Sequence, residues 1–269
     1  MSLRERAELE RALAPKLHAD VKRARICTLD IETKPALSRH FGMFNQNFGL
    51  AQVVEPTEVL SFGAKFLDRR NVDHYSTWAD GFDGMVEAAH KTLTEADIVV
   101  WYNGDGFDMK HLNWEFARLG LPRPKPYKTI DLLKVVRREF RPLSKKLDFV
   151  ASQLGLGSKV HHDGFALWMR VIDGDEKAQR LMETYCKQDV KLTEKLYLRL
   201  LPWLPSGVNL PLIAGNDSGC PICGSPKLKS EGDSTFTALT EYALYSCSGC
   251  GAWVRSNIVK NRTTRRIVR

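Results

Sequence analysis

The chain has 269 residues, 43% of them hydrophobic and 27% charged, which excludes intrinsic disorder, a collagen-like repeat and a chain dominated by membrane spans. Forty lysines and arginines against 32 aspartates and glutamates leave a net charge of +8 and a pI near 9.2, which points to a polyanionic partner such as nucleic acid. Met1 to Arg25 is studded with Arg, Glu and Lys in place of an apolar signal core, and no apolar run approaches the ~18 residues of a span, so the expected location is the cytoplasm, with no membrane partner.

Leu9, Leu13, Leu17 and Val21 recur every four residues between charged neighbours, a spacing that predicts one amphipathic helix within residues 1–24. Ala24 to Ile31 reads as a buried strand. Thr33 to Thr57 keeps no sustained period and holds Phe41, Phe44 and Phe48 among Asn, Gln, Gly and Pro, so a long loop is expected there. Val59 to Leu67 and Asn71 to Trp78 are expected as paired strands around a polar turn at Asp68 to Arg70, followed by a helix from Gly84 to Leu93. Asp97 to Tyr102 is a further buried strand, Asp108 to Leu119 has helical spacing and stops at Gly120, and Tyr127 to Ile130 is a short strand. Mostly helical segments fill Asp131 to Leu204, and the Pro, Gly and Asn between Pro202 and Asn216 suggest a linker. Strands that run first in a meander and then alternate with helices indicate an α/β domain whose helices cover a mixed sheet.

Three acidic motifs punctuate this order. Asp30 and Glu32 stand two apart at the end of the first strand, so both side chains share one face, where like charges repel unless a cation lies between them. Asn103, Phe107 and Asp108 lie where a buried strand breaks through a glycine turn into a helix, at the carboxyl end of the sheet, where ligands of open α/β sheets bind; capping of that helix is the competing role for Asp108. Tyr185 and Asp189 are four apart and share one face of a helix expected from Glu176 to Leu200. Asp105 reads as a turn residue, Asp131 as the cap of the helix after it, and His161 with His162 as a loop pair whose adjacent side chains diverge.

In order and context, Asp-x-Glu on a first strand, Asn-x-x-x-Phe-Asp after a middle strand and Tyr-x-x-x-Asp on a late helix resemble the DnaQ-like (DEDD) 3′→5′ exonuclease superfamily, over roughly Arg25 to Leu200. Tyr185, four residues before Asp189, matches the tyrosine branch; Thr184 stands where the other branch has its histidine. Thr28 to Thr33 and Tyr185 to Val190 are similar to the exonuclease domain of B-family DNA polymerases, but only the 65 residues 205–269 follow Leu204, too few for a polymerase domain. The resemblance implies an RNase H-like domain over residues 25–204 and a stand-alone enzyme that hydrolyses phosphodiester bonds of single-stranded DNA or frayed 3′ ends.

The same resemblance implies two Mg2+ or Mn2+ ions, which oxygen ligands suit. It gives Asp30 as a ligand shared by both ions, Glu32 and Asp189 as ligands on the nucleophile side and Asp108 as a ligand on the leaving-group side. Tyr185 is expected to orient the attacking water, since an ordinary phenol pKa near 10 makes a poor base, and Asn103 and Phe107 to position the terminal nucleotide. An exoribonuclease stays open, because no residue can be assigned to sensing a 2′-hydroxyl. A non-catalytic nucleic-acid adaptor is a third reading, which the clustered carboxylates disfavour.

Cys220-Pro-Ile-Cys223 and Cys247-Ser-Gly-Cys250 are two Cys-x-x-Cys knuckles with 23 residues between them, each followed by glycine. Four thiolates suit one tetrahedral Zn2+ and leave no position for a water, so the expected role is structural. The pattern resembles a zinc ribbon, expected over residues 217–258 after a linker at 205–216, with strands between Thr235 and Ser246. A basic tail over residues 259–269, with Tyr245 and Trp253, is expected to grip a nucleic-acid strand through phosphates and stacking.

Overall fold

The computed structural model describes residues 24–42, 47, 49–205, 207–216 and 218–263, so the expected N-terminal helix and the last six residues lie outside it. The chain divides into two units, one over Arg25–Leu196 and one from Tyr197 onward. In chain order the elements up to that boundary are β1 (Ile26–Lys34), β2 (Leu37–Ser38), β3 (Val53–Glu55), β4 (Glu58–Phe66), β5 (Asp73–Ser76), α1 (Gly81–Glu95), β6 (Ile98–Trp101), α2 (Asp108–Arg118), β7 (Lys128–Asp131), α3 (Leu132–Glu139), α4 (Leu147–Gln153), α5 (Phe165–Ile172) and α6 (Glu176–Leu200), whose last turn lies past Leu196.

Five of these strands form one mixed sheet in the order β5-β4-β1-β6-β7. The meander β1-β4-β5 is antiparallel and β1-β6-β7 is parallel, because β6 and β7 are each reached through a helix that can cross the sheet. β6 (Ile-Val-Val-Trp) is buried along its whole length, as a parallel strand covered on both faces must be. Alternation along β1 sends Cys27, Leu29 and Ile31 to one face, where Met85, Val86, Ala89 and Leu93 of α1 and Leu112 and Phe116 of α2 close the core. Thr28, Asp30 and Glu32 take the other face, toward α6. The expectation of a mixed sheet covered by helices thus holds, with an RNase H-like arrangement.

Thr33 to Thr57 is only partly a loop. β1 runs on to Lys34, and β2 pairs with β3 in a two-stranded ribbon closed by the Lys34–Glu55 ion pair (3.0 Å). Its ladder is too short and irregular to leave an alternating pattern.

In the second unit, the stretch expected as a linker contains a helical turn, α7 (Leu210–Ile213), whose Asn209 side chain caps the amide of Leu212, and Leu201 and Leu210 are buried. Beyond it β8 (Leu228–Phe236), β9 (Thr240–Cys247) and β10 (Trp253–Arg262) form an antiparallel sheet in the order β10-β9-β8. Strand structure therefore extends well past Thr235 to Ser246, and Lys260 and Arg262, expected in a tail, lie in β10. Tyr245 pairs with Val254 and Trp253 with Ser246, so the two aromatics face opposite sides of the sheet and cannot hold one strand together.

Candidate active site

β1 and β6 pair only from Ile26 to Thr28 against Ile98 to Val100. Past Thr28 the parallel strands part, and the crevice at their carboxyl ends receives the acidic side chains. The amide of Ile31, between Asp30 and Glu32, donates to Oδ1 of Asp108 (3.1 Å). Asp108 thus spends its carboxylate on β1 and does not cap its own helix; the helix-capping role expected as an alternative is not the one observed. A tight turn delivers it there: Asn103 has φ +71°, its amide donates to Oδ1 of Asp131 (2.9 Å), and a Cβ on Gly104 would lie 2.1 Å from the Trp101 ring. Only glycine fits that contact. Asp131 also accepts from the amide of Leu133 (3.0 Å), which makes it the cap of α3 and the anchor of the turn. Asp105 turns away to the Trp101 indole (2.8 Å) and Lys134 (2.6 Å), as a turn residue would. Asn103 and Phe107 stand exposed on the turn.

The fourth acid arrives on α6. Opposite Asp30 on β4 is Gly63, and a Cβ there would press to 3.0 Å against Cys186 Sγ and Val190. The missing side chain lets α6 approach β1 closely enough for Asp189 to meet Asp30 and Glu32: one oxygen of each lies within 4.8 Å of the others. Asp108 stands beside this triad without joining it. Tyr185, one turn earlier, is packed against Leu167 and Met182 with its hydroxyl accepting from Lys159 Nζ (3.0 Å), and the same ammonium forms an ion pair with Asp189. The Lys159 amide is tied to Asp148 (2.8 Å). The His162 ring packs edge-on against Tyr185 (4.8 Å) and Trp168 (5.3 Å), and its Nδ1 accepts from the Gly164 amide (3.0 Å), which leaves the proton of the neutral ring on Nε2. Lys159, His162 and Trp168 were not candidates on sequence: a lysine in a polar loop carries no period, and the adjacent histidines gave no ligand geometry.

The triad's electrostatics ask for a cation. Burial, reinforced by Asp108, Glu32 and Asp189, holds Asp30 well above the usual carboxylate range. Burial and the Asp189 charge push Glu32 up to about 8. Burial pushes Asp108 up to about 7, although the Ile31 amide works the other way. Asp189 is raised by burial against the opposing pull of Lys159. Oδ1 of Asp189 is buried without a hydrogen-bond partner among the described residues, an orientation a metal ligand needs and a structural acid would not tolerate. The oxygen-only donor set fits a hard divalent ion.

The four cysteines likewise converge. Sγ of Cys220 is 3.8 Å from that of Cys250, and Sγ of Cys223 is 3.7 Å from that of Cys247, close to the edge of a tetrahedron with ~2.3 Å metal–sulfur bonds. The knuckles are matched: the Gly224 amide donates to the Cys220 carbonyl and the Gly251 amide to that of Cys247, both at 2.8 Å, with φ +75° and +77° that glycine accepts without strain. This centre can bind a metal ion.

Fold and site together define an α/β protein with acidic groups clustered where its parallel strands part. The family model of the RNase H superfamily matches residues 27–201, and the chain belongs to that superfamily. Among solved structures it is similar to the family B DNA polymerase of the hyperthermophilic archaeon Pyrobaculum calidifontis, at 18% identity with a TM-score of 0.52 over 83% of this chain. The match spans 33% of that polymerase, about a third of its length. No curated protein matches the chain. Family and fold support a nuclease, and no helix among the described residues is long and apolar enough to cross a membrane.

Proposed function

We propose that the chain is a metal-dependent 3′→5′ exonuclease acting on single-stranded DNA or frayed 3′ ends. The observation that carries this reading is the gathering of Asp30, Glu32 and Asp189 within 4.8 Å, with the Tyr185 hydroxyl held beside Asp189 by Lys159. Asp30, Glu32, Asp189 and, from the adjoining turn, Asp108 are the residues to hold Mg2+ or Mn2+. When bound, such ions supply the Lewis acidity that activates water and offsets the charge building on the phosphoryl group. Burial and Asp189 drive the Tyr185 pKa above its ordinary value, so the phenol keeps its proton at neutral pH and orients water by hydrogen bonding. Asn103 and Phe107 position the last nucleotide from the exposed turn.

The surroundings suit a polyanion. Arg137, Arg141, Lys145 and Lys146 are exposed, and the Lys145 carbonyl accepts from the hydroxyl of Tyr102, the neighbour of Asn103, which ties this basic stretch to the turn. In the second unit the four cysteines hold a structural Zn2+, and the surrounding sheet adds grip on the substrate.

Incubation with 3′- and 5′-labelled oligonucleotides of DNA and RNA in Mg2+ or Mn2+ tests the reading. Release of a 3′-labelled mononucleotide at the first cut, a descending ladder from the 5′ label, and no turnover by a folded Asp30→Ala protein are expected. Internal cuts, release from the 5′ end first, or unimpaired turnover by Asp30→Ala would refute it; faster loss of RNA than DNA would transfer the activity to RNA.

A further inference from the structure

Helix α2 has two unlike sides. Asp108, Leu112, Glu115 and Phe116 are buried, which takes both acids of the helix inward. Outward stand Lys110, Asn113, Trp114, Ala117 and Arg118; Arg118 is paired with Glu58 and Glu115, which leaves Lys110 as the cation beside the exposed rings. Across this side runs a row of rings, Phe107, His111 and Trp114, spaced i, i+4 and i+7 and so aligned along one face. Phe107 is 40% exposed and its ring lies 4.5 Å from that of His111; Trp114 is 62% exposed. Among the described residues, neither Phe107 nor Trp114 belongs to a core cluster, in contrast to the buried Phe116 of the same helix.

We propose that this face of α2 is a base-stacking track, on which His111 and Trp114 continue from Phe107, at the last nucleotide, and hold the bases of the single strand leading away from it. The proposal rests on the nuclease reading for its direction and goes beyond it in giving the strand a path. The row begins at Phe107, next in sequence to Asp108. Seven residues carry it ~10 Å along α2, the reach of two or three stacked bases. Flat rings accept any base, so the track adds affinity without sequence preference, and Lys110 beside it suits the phosphates.

The test uses the full chain carrying Asp30→Ala, so that the oligonucleotide survives, and measures binding of fluorescein-labelled (dT)12 by anisotropy. Adding Trp114→Ala should weaken binding by roughly 5- to 100-fold, the range for loss of one stacking ring, while Trp114→Phe restores most of it. In the otherwise native chain, Trp114→Ala should raise KM for a 12-mer in that range, with kcat and cleavage of a dinucleotide unchanged. Trp114 is exposed, so folding is not at risk, and circular dichroism verifies it. Equal (dT)12 affinity in the Trp114→Ala protein overturns the track, as does a change in oligomeric state with no change in affinity, which would make this face a contact between copies of the chain. A protein that binds (dT)12 through Trp114 but cleaves nothing would end the nuclease reading and leave the track standing.

Discussion

The acidic triad and the four-cysteine centre each crowd groups that compete for one small volume, and the protein holds them by opposite means. Beneath Asp30 and Glu32 the sheet is packed: Cys27, Leu29, Phe62, Met85, Val86 and Leu93 are wholly buried. Burial of each large apolar side chain is worth ~1.5–3 kcal/mol, so the backbone that carries the carboxylates is set before any cation arrives. In the three-stranded sheet, by contrast, β8 is half-buried or exposed throughout and β9 is half-buried up to Cys247. Its buried residues collect around the sulfurs: Cys220, Ile222, Cys247, Ala252 and Val254. On the proposed function, a cation at the first region would complete the chemistry; at the second it would complete the fold.

The strongest way to break this contrast is to remove the metal from the second region. Chelation of zinc, or Cys220→Ser, should unfold the chain beyond about residue 218, because so small a sheet has too little core to stand alone. Deuterium uptake is the measurement. Amides of β8, β9 and β10 should exchange fully within the first time points, while those of β1, β4 and β6 keep the protection of the native protein. Retained protection in β9 after complete removal of the metal, shown by elemental analysis, would mean that the sheet has a core of its own and that the contrast is wrong.

A smaller effect sharpens the first region. Tyr185→Phe keeps the ring packed against Leu167 and Met182 and removes only the hydroxyl that Lys159 holds. If that hydroxyl orients water, kcat should fall roughly ten- to a thousandfold with KM and melting temperature little changed, the range for one positioned group. Single-turnover kinetics at saturating oligonucleotide read this directly. Full activity would reduce Tyr185 to a packing residue and leave Lys159 without the role of holding it.

The residues legible in the sequence were those whose position follows from a local period or turn. A strand period of two put Asp30 and Glu32 on one face, a helical spacing of four did the same for Tyr185 and Asp189, and a glycine turn led to Asp108. What brings these segments together was not legible. It depends on Gly63, a residue of β4 whose missing side chain admits α6, and on Ile31, whose amide holds Asp108. Lys159 is silent for the same reason: it reaches Asp189 from a loop, across 30 positions of chain. In the second unit the knuckles were plain from spacing, whereas β10 was not, since its residues are mostly exposed and show little alternation.

The smallest effect sets the two regions against each other in pH. Glu32 holds its proton to about pH 8 in the fold against an ordinary value of 4.5, and Asp108 to about 7 against 3.8. Between those limits the folded state keeps protons that the unfolded chain has released, so without divalent ions stability should fall as the pH rises, from 3.8, where Asp108 begins, until about 8, and stay low above. The cysteine centre runs the other way, because thiols must lose protons to hold zinc and its stability grows with pH. In zinc-loaded protein without added Mg2+ or Mn2+, the melting temperature of the first unit should therefore decline from pH 5 to pH 8. Mn2+ should recover most of the loss at pH 8 and little at pH 5, where the carboxyls are still protonated. Glu32→Gln, which removes one titrating group and one charge, should flatten the decline and weaken the response to Mn2+. Identical slopes for the native and Glu32→Gln proteins would show that the carboxylates are not in conflict, and the argument that they await a cation would lose its footing.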